Sequence, residues 1–391
     1  LTRVAELKAY HVRIPLKKPF KHASYERTST DNVVVRCTLD DGTVGFGEGV
    51  PREYVTGETI DSAMDLLGRS DLQAQMEPCG DFRAAVLVAE RLRLAPISGD
   101  DRGCKGNGAR CAVELAVLDA YGRRYGLPLS AAVNVAAPDL LEPKPWVHYS
   151  GAITTGSTGL KIRALAFGMW LLDFSHIKVK VGIEGHDDVE RLRLIRKRAG
   201  SKMDLRIDAN EAWPAVVAAE RMLALKPFNI SAVEQPVPHE EVASLEGIRK
   251  QTGMPVMLDE SLCGMVDAER AAAGGWCDLF NIRLSKCGGF LPSLRLAQFA
   301  VQHGLRYQLG CQIGETAILS AAGRHFASAV KGLHAVEGSY DRHLVREALG
   351  TTEMTFGRGG WARALTGSGL GVEVDAGALT RVTVREQGVV G

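Results

Sequence analysis

What the sequence lacks narrows its class before any motif is considered. None of the eight cysteines forms a CxxC pair, so they read as reduced thiols of core and surface instead of a metal site or disulfide framework. No apolar run reaches the roughly 18 residues of a membrane helix, and no secretory leader is visible, so the expected compartment is the cytoplasm, with no membrane partner. Charge is balanced: 47 basic residues face 46 acidic ones, and the basic cluster of Lys17, Lys18 and Lys21 is short. That argues against a nucleic-acid partner, whose footprint is a basic stripe.

What is present falls into two rhythms. At 391 residues the chain exceeds the usual single domain. Residues 1–50 read as antiparallel strands: Val33 to Thr38 is rich in β-branched side chains, Asp40-Asp41-Gly42 makes a turn, and Thr43 to Glu48 completes a hairpin. Apolar spacing turns helical over 59–94, interrupted at Pro78 and Gly80, and again over 109–125. Residues 1–135 therefore form an α+β unit, followed by a linker around Pro143 and Pro145.

The second rhythm occupies residues 136–345. Eight short apolar runs stand at 146–150, 176–181, 203–207, 230–233, 256–258, 279–284, 307–309 and 333–336. Stretches such as 188–199 and 214–225 between them have helical periodicity. Eight strands alternating with helices suggest a closed parallel barrel. The competitor is an open doubly wound sheet, whose dinucleotide-binding form needs a Gly-rich phosphate loop that is absent here. Residues 346–391 return to strand and turn character and are expected to rejoin the first unit.

Three acids mark the ends of successive strands: Asp208 in RIDAN, Glu234 in VEQP and Asp259 in MLDES, roughly 25–28 residues apart. Such a spacing is one strand, one helix and two short loops, about 25 residues or more. Catalytic groups of barrels sit at these strand ends. Three carboxylates on one spot repel unless a cation joins them, and an all-oxygen set suits Mg²⁺, with Mn²⁺ as a substitute. Capping of the next helix explains any one of the acids but not all three. Asn210 and Glu260, one or two residues further on, are candidates to orient these ligands or to serve as turn and cap residues.

Lys178 and Lys180 lie two apart on one predicted strand, so both point to the same face, with Ile177, Val179 and Val181 on the other. Neighbouring cations lower an amine toward the range of a general base. Lys286 closes the predicted sixth strand, across the barrel from the second. A carboxylate substrate between lysines and a metal has its α proton exposed to removal, and the resulting enediolate is stabilised by the cations around it. A solvated edge strand is the bland alternative for the lysine pair.

At this point the chain resembles the enolase superfamily, the mandelate racemase/muconate lactonizing enzyme family, and within it the muconate-cycloisomerase-like branch. The matching stretches are IKVKVG (177–182), RIDANEAW (206–213), VEQPVP (233–238), MLDES (257–261), RLSKCGG (283–289) and the N-terminal GFGEGVPREYVTGET (45–59). The resemblance implies an α/β fold, a modified TIM barrel of (β/α)7β form under an N-terminal α+β capping domain, and a homo-oligomer. It implies Mg²⁺ held by Asp208, Glu234 and Asp259, Lys180 as the base on one face, Lys286 as acid or base on the other, and Lys178 against the substrate carboxylate. Capping loops near 17–25 and 50–56 then close over the barrel mouth, which makes His22 and Tyr54 substrate contacts. Two features depart from the pattern: the acid expected near the seventh strand is shifted by one, to Glu315, and no Asp-x-Asp follows Glu337.

The expected activity is cycloisomerisation of a muconate-type dicarboxylate through an enediolate. The alternatives are racemisation or epimerisation of an N-acylated amino acid or related derivative, and dehydration of a hydroxy acid. A barrel hydrolase leaves Lys178 and Lys180 without a task, and a non-catalytic barrel leaves the whole cluster without one.

Overall fold

A computed structural model of the chain describes residues 1–21, 26–154 and 159–391. Its N-terminal part is an antiparallel sheet made by Val4–Lys21, Glu26–Leu39 and Val44–Gly49. The C-terminal strand Thr383–Val390 adds to the open edge of Val4–Lys21, so the two ends of the chain share one sheet.

Of helices Ile60–Arg69, Phe82–Arg91 and Asn107–Tyr125, the first and third pack on this sheet and the second packs against the third. Thr59 caps the first through a reciprocal pair of hydrogen bonds with Ser62, and Asp81 caps the second by accepting from the Ala84 N–H. The expected interruption around Pro78 and Gly80 falls between them.

The third helix lies almost in contact with the backbone of Val44–Gly49. Gly45, Gly47 and Gly49 alternate along the strand and all face it, and a Cβ on Gly47 would stand 2.1 Å from the Ala112 carbonyl oxygen. Period-two glycine is thus the condition for this close approach.

The rest of the molecule is a curled sheet of eight parallel strands in sequential order. They are Gly151–Ile153, His176–Lys180, Asp204–Asp208, Ile230–Glu234, Val256–Leu258, Leu279–Ile282, Arg306–Leu309 and Leu333–Val336. The Ser150 N–H donates to the Val336 carbonyl at 2.8 Å and brings the first and last strands together. Among the described residues one α-helix follows each of the first seven strands, from Gly159–Leu171 to Ala317–Ala329. The architecture is the modified TIM barrel with its capping domain. No described helix is long and apolar enough to cross a membrane.

One strand assignment is corrected. The run at 146–150 is not the first barrel strand: Trp146–His148 pairs antiparallel with Trp361–Arg363 as a separate ribbon. The Tyr149 N–H donates to the Gly360 carbonyl, so the chain enters the barrel only at Gly151. Eight cysteines stay free, and all but Cys311 are buried.

The glycine approach makes a stability prediction. Gly47→Ala should lower unfolding free energy by about 3 kcal/mol, since the obstructing atoms are helix backbone that cannot turn aside. Gly388→Ala, in a strand where an added Cβ meets nothing within 4 Å, should be close to neutral. Equal urea midpoints for the two variants would refute the contact argument.

Candidate active site

The site is built by what stands last on, or first after, each barrel strand. Lys180, Asp208 and Glu234 are the final residues of the second, third and fourth strands and lie side by side in register. Asp259 follows the fifth strand, Arg283 the sixth and Glu337 the eighth. A cavity of about 290 Å³ adjoins them, lined by Lys178, Lys180, Asp208, Arg283 and Glu337 and also by Tyr54, Ile313 and Leu344. Glu234 and Asp259 are fully buried beneath.

Charge is neutralised locally. The Lys178 ammonium donates to both oxygens of Glu234 at 3.1 and 3.2 Å and to Glu337 at 2.9 Å, and stands 3.1 Å from Asp208. Arg283 reaches Asp259 and, at 3.5 Å, Glu234. Below them Arg206, wholly buried, pairs with Glu337 at 2.8 Å and also donates to Gln308 and the Ser150 hydroxyl.

These contacts pull the groups apart electrostatically. Burial opposes the charged form of Lys178, but Asp208, Glu234 and Glu337 outweigh it and hold its pKa well above the usual lysine value. Lys180 moves the other way: burial, reinforced by Lys178, lowers its amine against the pull of Asp208 and Glu260. Burial and then Asp208 push the Glu234 carboxyl up to about 8. Glu337 overcomes its burial through Lys178 and Arg206 and falls to about 2. One lysine is thus fixed as a cation, and its neighbour two residues on is eased toward the neutral amine.

Most of the sequence-predicted residues meet here, but not all. Asn210 and Glu260 line the cavity, where the Asn210 amide donates to Glu260 at 3.3 Å and its backbone N–H to Asp208 at 3.0 Å. Tyr54 reaches the mouth from the capping domain. His22 lies outside the described residues. Glu315 is half-buried and is not among the described residues lining this cavity; it accepts from the Gln312 N–H, and desolvation pushes it up to about 8.

Lys286 lies deeper than the strand pattern implied. It is 1% exposed and is not among the described residues lining the cavity. Its ammonium donates to the Asp259 carboxylate at 2.8 Å and to the carbonyls of Asp259 and Asn281 at 2.6 and 2.9 Å. The physical reason is the strand's true end: it stops at Ile282, and the turn that follows carries Lys286 back underneath Asp259. Arg283, which stands directly after Ile282, occupies the cavity side instead. Arg283, Glu337 and Arg206 were not singled out from the sequence. The position one past a strand end was the signal for the first two.

As for a metal, no three carboxylates among the described residues turn their oxygens to a common point as ligands do. Lys178 and Arg283 share those oxygens instead. The donor chemistry nevertheless fits a hard divalent ion: Asp208, Glu234 and Asp259 offer oxygen alone, and the adjacent Glu260 Oε2 is buried with no hydrogen-bond partner. An arrangement of carboxylates and one eased amine around a small cavity can hold a carboxylate substrate and remove the proton next to it.

Comparison with known proteins agrees with this chemistry. Residues 161–378 match the family described as enolase C-terminal domain-like, and residues 4–133 match the mandelate racemase / muconate lactonizing enzyme N-terminal domain. The chain is 32% identical over 326 residues to an L-Ala-D/L-Glu epimerase of Clostridium acetobutylicum, covering 82% of this chain and 85% of that protein. It is 25% identical over 387 residues to an N-succinyl-L-Arg/Lys racemase of Bacillus cereus, covering 98% of each. A solved dipeptide epimerase of Cytophaga hutchinsonii, in complex with Mg and the dipeptide D-Ala-L-Val, superposes with a TM-score of 0.82 at 27% identity, covering 99% of this chain and 100% of that one. These relatives are epimerases and racemases. The muconate-cycloisomerase branch and its ring-closing activity, expected from the motifs, are thereby overturned.

The placement of Lys286 yields a test of its own. Lys286→Met should cost about 3 kcal/mol of stability, because it strands a buried carboxylate and two carbonyls. Lys180→Met, on the cavity wall, should cost no more than about 1 kcal/mol. Guanidinium unfolding of both variants decides it, and a larger loss for Lys180→Met would contradict the placement.

Proposed function

This chain belongs to the mandelate racemase / muconate lactonizing enzyme family, and from that premise we propose that it is a racemase or epimerase of N-acylated α-amino acids. The acyl group is a carboxylic acid or a preceding amino acid, since the second residue of a dipeptide is itself an N-acylated amino acid. The observation that carries the reading is the pairing of Lys180, an amine eased toward neutrality, with strand-end carboxylates around one cavity. The relatives support the substrate class: one acts on L-Ala-D/L-Glu and another on N-succinyl-L-Arg/Lys.

In this reading Asp208, Glu234 and Asp259 hold Mg²⁺, which when bound supplies positive charge to the substrate carboxylate. Lys180 takes the α proton, and the electron pair left behind moves onto the carboxylate oxygens. Lys178, held as a cation by three carboxylates, adds positive charge beside them. Lys286 and Asn281 act as positioning residues: the first holds Asp259 from below, and the second donates to Glu234 at 2.8 Å. The capping domain contributes Tyr54 and excludes water from the mouth.

Glu337 bears on the nitrogen substituent. It is the acid after the eighth strand, yet it is engaged by Lys178 and Arg206. A carboxylate so occupied is a poor partner for a free ammonium, which favours acyl groups without a charged amine.

The test is loss of the α-proton signal by NMR in D₂O, with MgCl₂ and a panel of N-acyl amino acids and dipeptides. Exchange is expected for the acylated amino acids, with loss on EDTA treatment. Glu234→Gln and Lys180→Ala should each lower it by about 100-fold or more while leaving the circular-dichroism spectrum unchanged. If no panel member exchanges its α proton, the proposal fails.

A further inference from the structure

Helix Gly159–Leu171, which follows the first barrel strand, is apolar on two faces. Its inner face packs on the sheet: Ile162 and Ala166 are buried, and a Cβ on Gly151 would stand 2.7 Å from the Met169 sulfur. A surface helix ordinarily turns charged and polar side chains outward. Here the outer face carries Leu160, Ala164, Phe167 and Leu171, all exposed, the two leucines at 82% and 55%. Their spacing of four, three and four residues is the narrow seam of a coiled coil.

Phe167 and Trp170, 45% and 54% exposed, stack with ring centroids 5.5 Å apart. Those two rings alone present roughly 200 Å² of apolar surface. Leu160, Leu171 and Leu172 enlarge the patch past the few hundred Å² at which exposed apolar area marks an interaction surface. The surface continues beyond the helix end. Arg358 donates to the Leu171 carbonyl at 3.3 Å, and Trp361, three residues on, is half exposed. That extension brings the face toward the roughly 800 Å² per partner of a stable interface.

The seam is complementary to itself. A two-fold axis crossing the helix between Leu165 and Ala166 sets two copies of it antiparallel. Leu160 then meets Leu171, and Phe167 meets Ala164, so the largest side chain of the seam faces the smallest. On its flank Arg163 meets Trp170, a guanidinium against an indole. The partially positive start of each helix also lies beside the partially negative end of the other.

We infer that this face binds a second copy of the chain through antiparallel pairing of helix Gly159–Leu171 with itself. None of these side chains lines the cavity, so the inference stands apart from the proposed activity.

The test is the mass of the full chain in solution, read by sedimentation velocity over a dilution series. The wild-type protein should form dimers or larger even-numbered assemblies. Across a two-fold contact every substitution counts twice. Phe167→Lys and Ala164→Glu should therefore each raise the dissociation constant by about 100-fold or more and release smaller species. Circular-dichroism spectra should stay unchanged, because both positions are exposed in a single copy. Mixing the two variants is the decisive arm. In the mixed pair Phe167 of one copy again meets Ala164 of the other, and the introduced acid and base meet at the second contact. Association should then recover by about tenfold or more over either variant alone. Leu160→Lys and Leu171→Glu, at the outer contacts, form a second such pair should either spectrum change. A monomeric wild-type protein overturns the inference and leaves the face to a different protein or a membrane surface. So does an assembly that neither substitution loosens, since the copies then join elsewhere. Mixing without recovery overturns the antiparallel pairing and the inference with it.

Discussion

Five carboxylates crowd one end of this barrel, and the site depends on how their repulsion is relieved. Asp208, Glu234, Asp259, Glu260 and Glu337 are all buried. Two unit charges 4 Å apart repel by about 4 kcal/mol near a protein surface, and by more where water is excluded. Lys178, Lys180, Arg206, Arg283 and Lys286 bring the compensating charge, and no two of them do the same work. Lys178 touches three acids at once, Arg206 props Glu337 from the floor, and Arg283 and Lys286 take opposite sides of Asp259. Lys180 is left as the amine least held in its charged form. The two amines of the second strand therefore differ: Lys178 is held in its charged form, and burial lowers Lys180 against the pull of Asp208 and Glu260.

The capping domain holds the loops that carry these groups. Asn107 donates to the carbonyls of Cys263 and Lys286, tying the loops after the fifth and sixth strands to the start of helix Asn107–Tyr125. Arg102 pairs with Asp267 at 2.8 Å and donates to the Glu260 carbonyl. Glu48, wholly buried, accepts from Thr316 and from the Leu319 N–H at the start of helix Ala317–Ala329. That is a carboxylate at a helix N-terminus, where the macrodipole favours it, and the contact fixes the seventh strand's outgoing loop to the sheet. The helix that needs Gly45, Gly47 and Gly49 to approach its sheet is the same helix that grips these loops. Close packing in one domain thus sets positions in the other.

The barrel and the strand-end positions of the acids were legible because both depend on period and spacing. Strands that alternate with helices leave a repeat of roughly 25 residues, and Asp208 and Glu234 end their strands where the apolar runs end. The first strand and the sixth were misplaced for opposite reasons. At 146–150 an apolar run pairs with Trp361–Arg363, and nothing local distinguishes an antiparallel ribbon from a barrel strand. At 279–284 the apolar residue Leu284 extends the run past the true end at Ile282, and the two extra residues direct attention to Lys286 in place of Arg283. Leu284 is buried like its neighbours, but in the turn instead of the sheet. Hydrophobicity reports burial, and burial continues after a strand has ended. The choice of branch failed for a related reason: the matching motifs are the ones by which the chain resembles the whole family, and they do not separate its branches.

The arginine after the sixth strand belongs to the same charge arrangement. Its Nη2 reaches both Asp259 and Glu234, two acids from adjacent strands, while Lys286 donates to the other oxygen of Asp259. The position then serves the cohesion of the carboxylate cluster first. On the second strand Lys178 is absorbed by three acids, while burial lowers Lys180 against the pull of Asp208 and Glu260. Because side chains two apart share one face, the charge of the first lysine helps to lower the second. Asymmetry between the two sides of the cavity follows from which strand carries a pair of amines and which carries a guanidinium.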